Sequence, residues 1–378
     1  IHDRPHLIQH NRAHIPNFDD AHLVPFVTTE LERELAVRLG LPMYAADPDH
    51  FDFGTKTGCR RLFAEEGLSY PIGEEDLHTP ADLIRAISGM RLKKPALTKV
   101  IVKLNEGVSG YGNAQLDLAG LPAPGHPAEP DSLAARLHDL KFELKTLTYD
   151  WYMEKLAEKG GIVEEMITGE GMVSPSAQLR NSPLGNVELL STHDQMLGGP
   201  TGQIYLGARF PANPEYGPLI MHEAEKIGKR LAKEGVVGRF ALDFLVVQRA
   251  DGGWQPYAIE INLRKGGTTH PFLTLQYLTD ANTGIFSTAL GHPKYYVATD
   301  AHKDDTYRTL TPTDVIDLAS NHRLHYDHIN QTGIVLHMFS QVATLGKLGF
   351  TAIGNTPEHA EALYQQFIDV LNEAVKEQ

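Results

Sequence analysis

Two apolar runs set close together constrain this chain more than any other feature. "FALDFLVVQ" (residues 240–248) and "WQPYAIEINL" (residues 254–263) are separated only by "RADGG" (residues 249–253). β-Branched and aromatic runs on either side of an Asp-Gly-Gly turn predict two antiparallel strands. The second run ends in an unusual way. Glu260 and Asn262 sit two apart, so they share one face of the strand, and Arg264, Lys265, Gly266 and Gly267 follow. Asp243 lies in the first run, where antiparallel pairing can bring it to that same face.

Three oxygen donors around one point suit Mg²⁺, which takes one or two carboxylates and completes its shell with water and phosphate oxygens. The competing reading is a polar, solvent-facing edge on each strand. For Asp243 alone the two readings balance. A Glu-x-Asn that runs into two cations and Gly-Gly favours the functional one.

Other stretches ask for a polyanionic partner. Lys103 ends the strand-like run "KVIVKL" (residues 99–104), and the Gly-rich loop "EGVSGYGNA" follows at once. Such a loop can turn backbone N–H groups toward phosphate oxygens. It lacks both the Walker spacing and Gly-x-Gly-x-x-Gly, so a surface hairpin explains it equally well. Lys56 falls at the start of a predicted helix, where a solvated lysine is the plain alternative. "GGIVEEMI" reads as a strand carrying Glu164 and Glu165. Its edge could offer a carbonyl and an N–H to an adenine ring, or be an ordinary acidic edge.

Bulk properties set limits. The chain has 378 residues, enough for two or three domains, with 42% apolar and 22% charged residues. A formal net charge of −14 argues against a general nucleic-acid binder. No apolar run approaches the length of a membrane span, and no signal-peptide segment opens the sequence. The first residue is not Met, so N-terminal sequence is expected to be missing. The single cysteine, Cys59, rules out an internal disulfide and suits a reducing, cytoplasmic location.

The order of elements is mixed. Helix signals mark residues 20–45, with a Thr29–Glu32 capping box and a stop at Gly40 and Pro42. A second helix fits residues 55–71, and a third opens at Pro80 and closes near Gly89. A Pro- and Gly-rich loop covers residues 120–130, and a hairpin is predicted around Ser182 to Gly185. An amphipathic helix fits residues 223–238. The composition shifts near Pro293, and the tail reads as a hairpin ("GIVLHMFSQVATLGKLGFTAIG") followed by a helix, a separate α+β module. His2, His6, His10 and His14 recur every four residues, but Pro5 is expected to interrupt the helix that a zinc site would need. His193, His270 and His337 read as structural, and Cys59 lacks a partner for nucleophilic work.

In order, these pieces resemble an ATP-grasp ligase over about residues 50–290: Lys56, Lys103, a Gly-rich lid, an acidic hinge strand, an Asp and then Glu-x-Asn. "KLNEGVSGYGNA", "SPSAQLR", "STHDQMLGGP" and "EINLRKGGTTHP", with the tail, are most similar to the pheganomycin-type peptide ligases. The resemblance implies an α+β ATP-grasp fold, two α+β subdomains clamping ATP. It implies a pre-ATP-grasp remnant at residues 1–50, an ATP-grasp domain at 51–292 with a lid at about 95–165, and a capping module at 293–378.

The same resemblance implies roles. Lys56 and Lys103 would hold the phosphates of ATP, with Ser109, Gly110 and Gly112 closing over them. The Glu165 carbonyl and the Ile167 N–H would meet adenine, and Glu164 or Glu170 would sit near adenine or ribose. Asp243, Glu260 and Asn262 would hold Mg²⁺. Arg264, ahead of Arg180, would stabilise the oxyanion, and Arg209 would bind a substrate carboxylate. Gly266 and Gly267 would let the backbone approach the reacting carboxylate. D-alanine–D-alanine ligases carry an arginine two residues before the metal Asp. Ala241 stands there in this chain, and Arg239, four residues before, is expected to face elsewhere.

The implied reaction activates a carboxylate as an acyl phosphate and passes it to an amine. The expected substrates are an N-terminal, nonproteinogenic or ordinary amino acid and a peptide amine, in the biosynthesis of an antibiotic-like natural product. Two alternatives stand beside it: another carboxylate–amine ligase making a dipeptide or an amidated metabolite, and a non-catalytic ATP-binding protein. Neither nucleic acid nor membrane is an expected partner. A homodimer is compatible with the resemblance, since many related ligases are dimers.

Overall fold

The computed structural model describes residues 4–107, 110, 112–144, 146–169, 171–199, 202–279 and 292–376. In chain order the strands are β1 (Gly73–Leu77), β2 (Lys99–Leu104), β3 (Asn113–Asp117), β4 (Lys141–Phe142), β5 (Gly161–Glu165), β6 (Pro175–Asn181) and β7 (Val187–Gly198). They continue with β8 (Ile204–Phe210), β9 (Gly238–Gln248), β10 (Trp254–Asn262), β11 (Tyr295–Lys303), β12 (Gly333–His337) and β13 (Lys347–Gly354). The chain divides into two compact units. The first comprises Ile1–Glu170, Gln178–Leu189 and Met221–Lys265; the second comprises Gly171–Ala177, Leu190–Ile220 and Gly266–Gln378.

The first unit holds an antiparallel sheet in the order β1-β5-β2-β3-β4. Helices Pro80–Lys93 and Tyr149–Lys159 supply Leu83, Ile87, Met90, Tyr152 and Leu156 to its core, against Val100, Val102 and Val163 of the strands. The Tyr152 hydroxyl is shared between the carbonyls of Val102, 3.0 Å away, and Gly112, 2.8 Å away. It thereby ties the base of the Gly-rich loop to β2. Tyr152→Phe leaves these carbonyls without that donor inside a packed core. The expected cost is about 1–3 kcal/mol, read as a lower denaturation midpoint in urea.

The same unit contains the predicted hairpin. β9 and β10 pair antiparallel, and Arg249 closes the turn by donating its N–H to the Gly253 carbonyl at 2.7 Å. A bulge between Ala258 and Glu260 resets the register so that Glu260 lies opposite Asp243, and Asn262 opposite Ala241. Arg239 lies inside β9, so the expectation that it faces away from Asp243 is corrected. Positions 239, 241 and 243 are spaced by two and share one face.

The second unit has antiparallel pairings of β7 with β8, β8 with β11, β11 with β13 and β13 with β12. Phe350, Phe367, Val315 and Leu371 fill the core under β13 and helix Pro357–Ala374. The tail's strands thus extend directly from β8. β12 and β13 form the expected pair, but their connection carries a short helix, Val342–Leu345.

Three further expectations need correction. The third helix runs through Gly89 to Lys93, because Met90 is a buried core residue that continues the apolar face. Pro5 does not interrupt a helix but opens one, Pro5–Ala13, at the first turn, where its missing N–H costs nothing. The Gly-rich loop gives way to β3 already at Asn113. Helix Glu30–Leu39 keeps the expected Thr29–Glu32 capping box and ends at Gly40 in the left-handed region. Among the described residues no helix is long and apolar enough to cross a membrane.

Candidate active site

The site is built where helix Lys56–Glu65 packs against β10. Cys59 is fully buried there and accepts the Ile261 N–H at 3.1 Å. Burial pushes its thiol up to about 12, so it stays protonated and serves as packing. One turn earlier, Lys56 is 5% exposed and reaches Glu260 Oε1 at 2.6 Å. Burial by itself would lower this ammonium. The attraction of Glu260 and its hydrogen bond, with help from Asp243, hold it above its ordinary value, so it remains a cation. Beside it, Asn262 donates from Nδ2 to Asp243 Oδ2 at 2.8 Å. Asp243, Glu260 and Asn262 are therefore brought together with Lys56.

A second buried cation stands on β2. Lys103, 5% exposed, pairs with Glu164 of β5, and Arg60 approaches the same carboxylate at 3.4 Å. Arg60 also donates to Glu75 at 3.0 Å and to the Pro71 carbonyl at 2.9 Å, with its guanidinium over the Tyr70 ring. Sequence reasoning missed Arg60, because its partner lies 104 residues away. Glu165, the neighbour of Glu164, accepts from the Ile72 N–H at 3.1 Å and pairs with Lys94.

The two lysines share an anchor that no motif announces. The Asn105 backbone carbonyl accepts the Lys56 N–H at 3.3 Å, and its side-chain oxygen accepts the Thr57 N–H at 3.0 Å. The side-chain amide of Asn105 donates in turn to the Lys159 carbonyl at 3.0 Å. Asn105 follows Lys103 by two positions, so one residue references both cations.

Other expected residues sit in different settings. Arg264 donates to the Lys265 carbonyl at 3.1 Å, and Arg180 pairs with Glu188. Arg209 forms an ion pair with Glu361 at 2.9 Å, in the second unit. Gly110 adopts φ +81°, a conformation that favours glycine, and its carbonyl accepts from Asn113 at 2.9 Å. A Cβ at Gly112 would lie 3.4 Å from Gly107 Cα, so these two glycines let the loop strands approach each other. Ile167 follows β5 in an irregular segment. Ser109 and Glu170 lie outside the described residues.

The two glycines of the Gly-Gly pair differ in their surroundings. A Cβ at Gly267 would lie 2.6 Å from a ring carbon of Tyr205, whereas at Gly266 it would meet nothing within 4 Å. Gly267 is required by a neighbouring ring within its own unit, and Gly266 has open space. Of the histidines, His193 is fully buried, with Nε2 2.6 Å from the Tyr296 hydroxyl, and burial brings it down to about 3. It is a structural, neutral imidazole.

Two carboxylates and an amide oxygen on paired strands form a donor set suited to Mg²⁺, and Lys56 and Lys103 are buried cations of the kind that meets phosphate. Among the described residues no cluster of three or more His, Cys, Asp or Glu side chains offers a competing all-protein metal cage.

Comparison with solved structures defines the fold. The chain is similar to N5-carboxyaminoimidazole ribonucleotide synthetase purK in its ADP complex, with a TM-score of 0.59 at 13% identity, covering 99% of this chain and 85% of that one. It is also similar to biotin carboxylase from Campylobacter jejuni, with a TM-score of 0.61 at 12% identity, covering 92% of this chain and 74% of that one. The fold is the α+β ATP-grasp fold. The family model described as "IQCH-like, ATP-grasp" matches residues 50–127 and 128–283. The chain belongs to this ATP-grasp family, as the resemblance in its motifs implied. A model of the PGM1 C-terminal domain matches residues 314–367.

Among curated proteins, the chain is 29% identical over 351 residues to the L-propargylglycine--L-glutamate ligase of Streptantibioticus cattleyicolor, covering 90% of this chain and 68% of that protein. It is 23% identical over 272 residues to IQ motif-containing protein H of Danio rerio, covering 64% of this chain and 26% of that protein. The chain is an enzyme of the ATP-grasp ligase class.

Proposed function

We propose that this protein is an ATP-dependent carboxylate–amine ligase that forms a peptide bond through an acyl phosphate. The observation that carries the reading is the joining of Lys56 to Glu260 at 2.6 Å beside the Asp243–Asn262 pair, on a strand register that sets Glu260 opposite Asp243. The similarity to a ligase that joins two amino acids supports the carboxylate–amine chemistry.

In this reading Asp243, Glu260 and Asn262 hold Mg²⁺, which supplies charge neutralisation for phosphoryl transfer. Lys56 and Lys103 bind phosphate oxygens, and both ammonium groups are already positioned by carboxylates, Glu260 and the buried Glu164. Arg264, ahead of Arg180, stabilises the oxyanion, which a preorganised guanidinium does without reorganising. Gly110 and Gly112, with Ser109, close the loop over the phosphates. The Glu165 carbonyl and Ile167 N–H serve adenine, and Glu164 or Glu170 its surroundings. Arg209 takes a substrate carboxylate. The acceptor is a peptide amine or a second amino acid, in natural-product biosynthesis in the cytoplasm. The proposed division is a pre-ATP-grasp remnant at residues 1–50, an ATP-grasp domain at 51–292 and a capping module at 293–378.

The test is ADP release with Mg–ATP across amino acids and short peptides, with products weighed. ADP together with a product lighter by one water than the two substrates combined is the expected result. A protein that binds Mg–ATP but releases no substrate-dependent ADP across the panel would sink the reading. Lys103→Ala is expected to weaken nucleotide binding more than about tenfold, about 1.4 kcal/mol. Calorimetry checks it, and unchanged affinity would remove the phosphate role.

A further inference from the structure

Arg239 shares the face of β9 with Asp243, four residues earlier, yet takes no part in the Lys56–Glu260 group. Its Nη1 is buried and has no hydrogen-bond partner among the described residues, and the same holds for Nε of Arg180. Buried N–H donors in native proteins are nearly always matched by an acceptor. Two orphaned guanidinium nitrogens on neighbouring arginines therefore point to an acceptor that the described residues do not supply.

The surrounding charge has one sign in excess. Arg180 lies near enough to Arg239 to repel it, and Arg239 likewise repels Lys265. The facing groups of opposite tendency are Glu188, already paired with Arg180, and the Tyr44 phenol. Arg239 thus feels two cations, Arg180 and Lys265, against the one carboxylate of Glu188, an arrangement that like-charge repulsion disfavours unless an anion joins it.

The backbone holds this group in place from two sides. Gly238, at φ +97°, starts β9 directly against the 44–45 segment: a Cβ there would lie 2.8 Å from Ala45 Cα. Tyr44 is fixed by its N–H to the Leu23 carbonyl at 2.8 Å. Lys265 donates its backbone N–H to the Phe26 carbonyl at 3.1 Å. The segment before residue 50 therefore forms one wall of the cationic group and sets its geometry.

We propose that Arg239, with Arg180 and Lys265, forms an oxyanion-binding site that takes a carboxylate or phosphoryl group of the reactants. This deepens the ligase reading and rests on it for the identity of the anion. The carboxylate of an amino acid and the phosphate released by the reaction share the required chemistry, planar or tetrahedral oxygens that a guanidinium can grip in two-point fashion.

The experiment titrates the full chain, saturated with Mg–ADP, with inorganic phosphate and separately with L-glutamate at constant ionic strength. It compares wild type with Arg239→Gln and Arg239→Lys. At least one anion is expected to bind wild type and to bind Arg239→Gln about tenfold or more weakly, with Arg239→Lys intermediate. Mg–ADP affinity should stay within about twofold in all three, since Arg239 is outside the proposed nucleotide set. A response to phosphate assigns the site to the transferred group, and a response to L-glutamate alone assigns it to a substrate carboxylate. Binding of neither anion to wild type, or equal binding to wild type and Arg239→Gln, overturns the proposal. Failure of wild type to bind Mg–ADP would instead overturn the ligase reading, and the anion titration without nucleotide would still decide the role of Arg239.

Discussion

Glu260→Ala is expected to destabilise the protein by about 3–5 kcal/mol in addition to abolishing turnover. The reason is the ammonium it leaves behind. Lys56 is 5% exposed, and Glu260 is the carboxylate that touches it. Removing that partner strands a cation in a site where little water reaches it. Glu260 itself is 24% exposed, which places the loss toward the lower end of the range. Urea unfolding of the variant checks it, and an unchanged midpoint would mean that the ion pair contributes nothing to the fold. Replacing both residues, Lys56→Met with Glu260→Leu, should recover most of the stability and none of the activity. That separation distinguishes a structural pair from a working one. The pH dependence has a defined sign. The Lys56 pKa is raised above its ordinary 10.5 in the folded state, so the stabilisation is complete below about that value and fades as pH rises beyond it. At neutral pH the pair is intact.

Asp243→Ala is expected to lower the rate of substrate-dependent ADP release by about a thousandfold, about 4 kcal/mol of barrier. Its effect on stability should be smaller, about 1 kcal/mol, because it removes the Asn262 acceptor and only the lesser share of the charge that supports Lys56, Glu260 keeping the greater. The variant thus uncouples the two quantities that Glu260→Ala changes together. Turnover equal to wild type at limiting Mg²⁺ would remove Asp243 from the metal set. Recovery of part of the rate at high Mg²⁺ would be expected if Glu260 and Asn262 keep a weakened site.

Much of this was readable from local pattern. Thr29 with Glu32, the run "KVIVKL" and the turn "RADGG" each carry their signal within a few residues, and all fold as expected. Glu260 and Asn262 were legible because period-two spacing fixes a face without reference to the rest of the chain. The bulge at Ala258 was not, yet it decides that Glu260 stands opposite Asp243. Arg60 and Asn105 were missed because their partners, Glu164 and the helix start at Lys56, are remote in sequence and meet through sheet register. Arg239 was misjudged by a simpler slip: a spacing of four along a strand preserves the face. The Tyr205 ring that leaves no room for a Cβ at Gly267 was not legible, because it lies far away in sequence. Which groups neutralise one another followed only from the folded geometry.

Asn105 has a consequence for how such a chain can vary. Because Lys56 is held by the residue two positions after Lys103, the distance between the two ammonium groups does not depend on the chain that connects them. Changes of sequence on the exposed face of helix Pro80–Lys93 leave this anchor untouched, whereas β1, which pairs with β5 and carries the Arg60 partner Glu75, and the buried face of the helix stay fixed with it. A single amide acts as a datum from which both lysine backbones are measured.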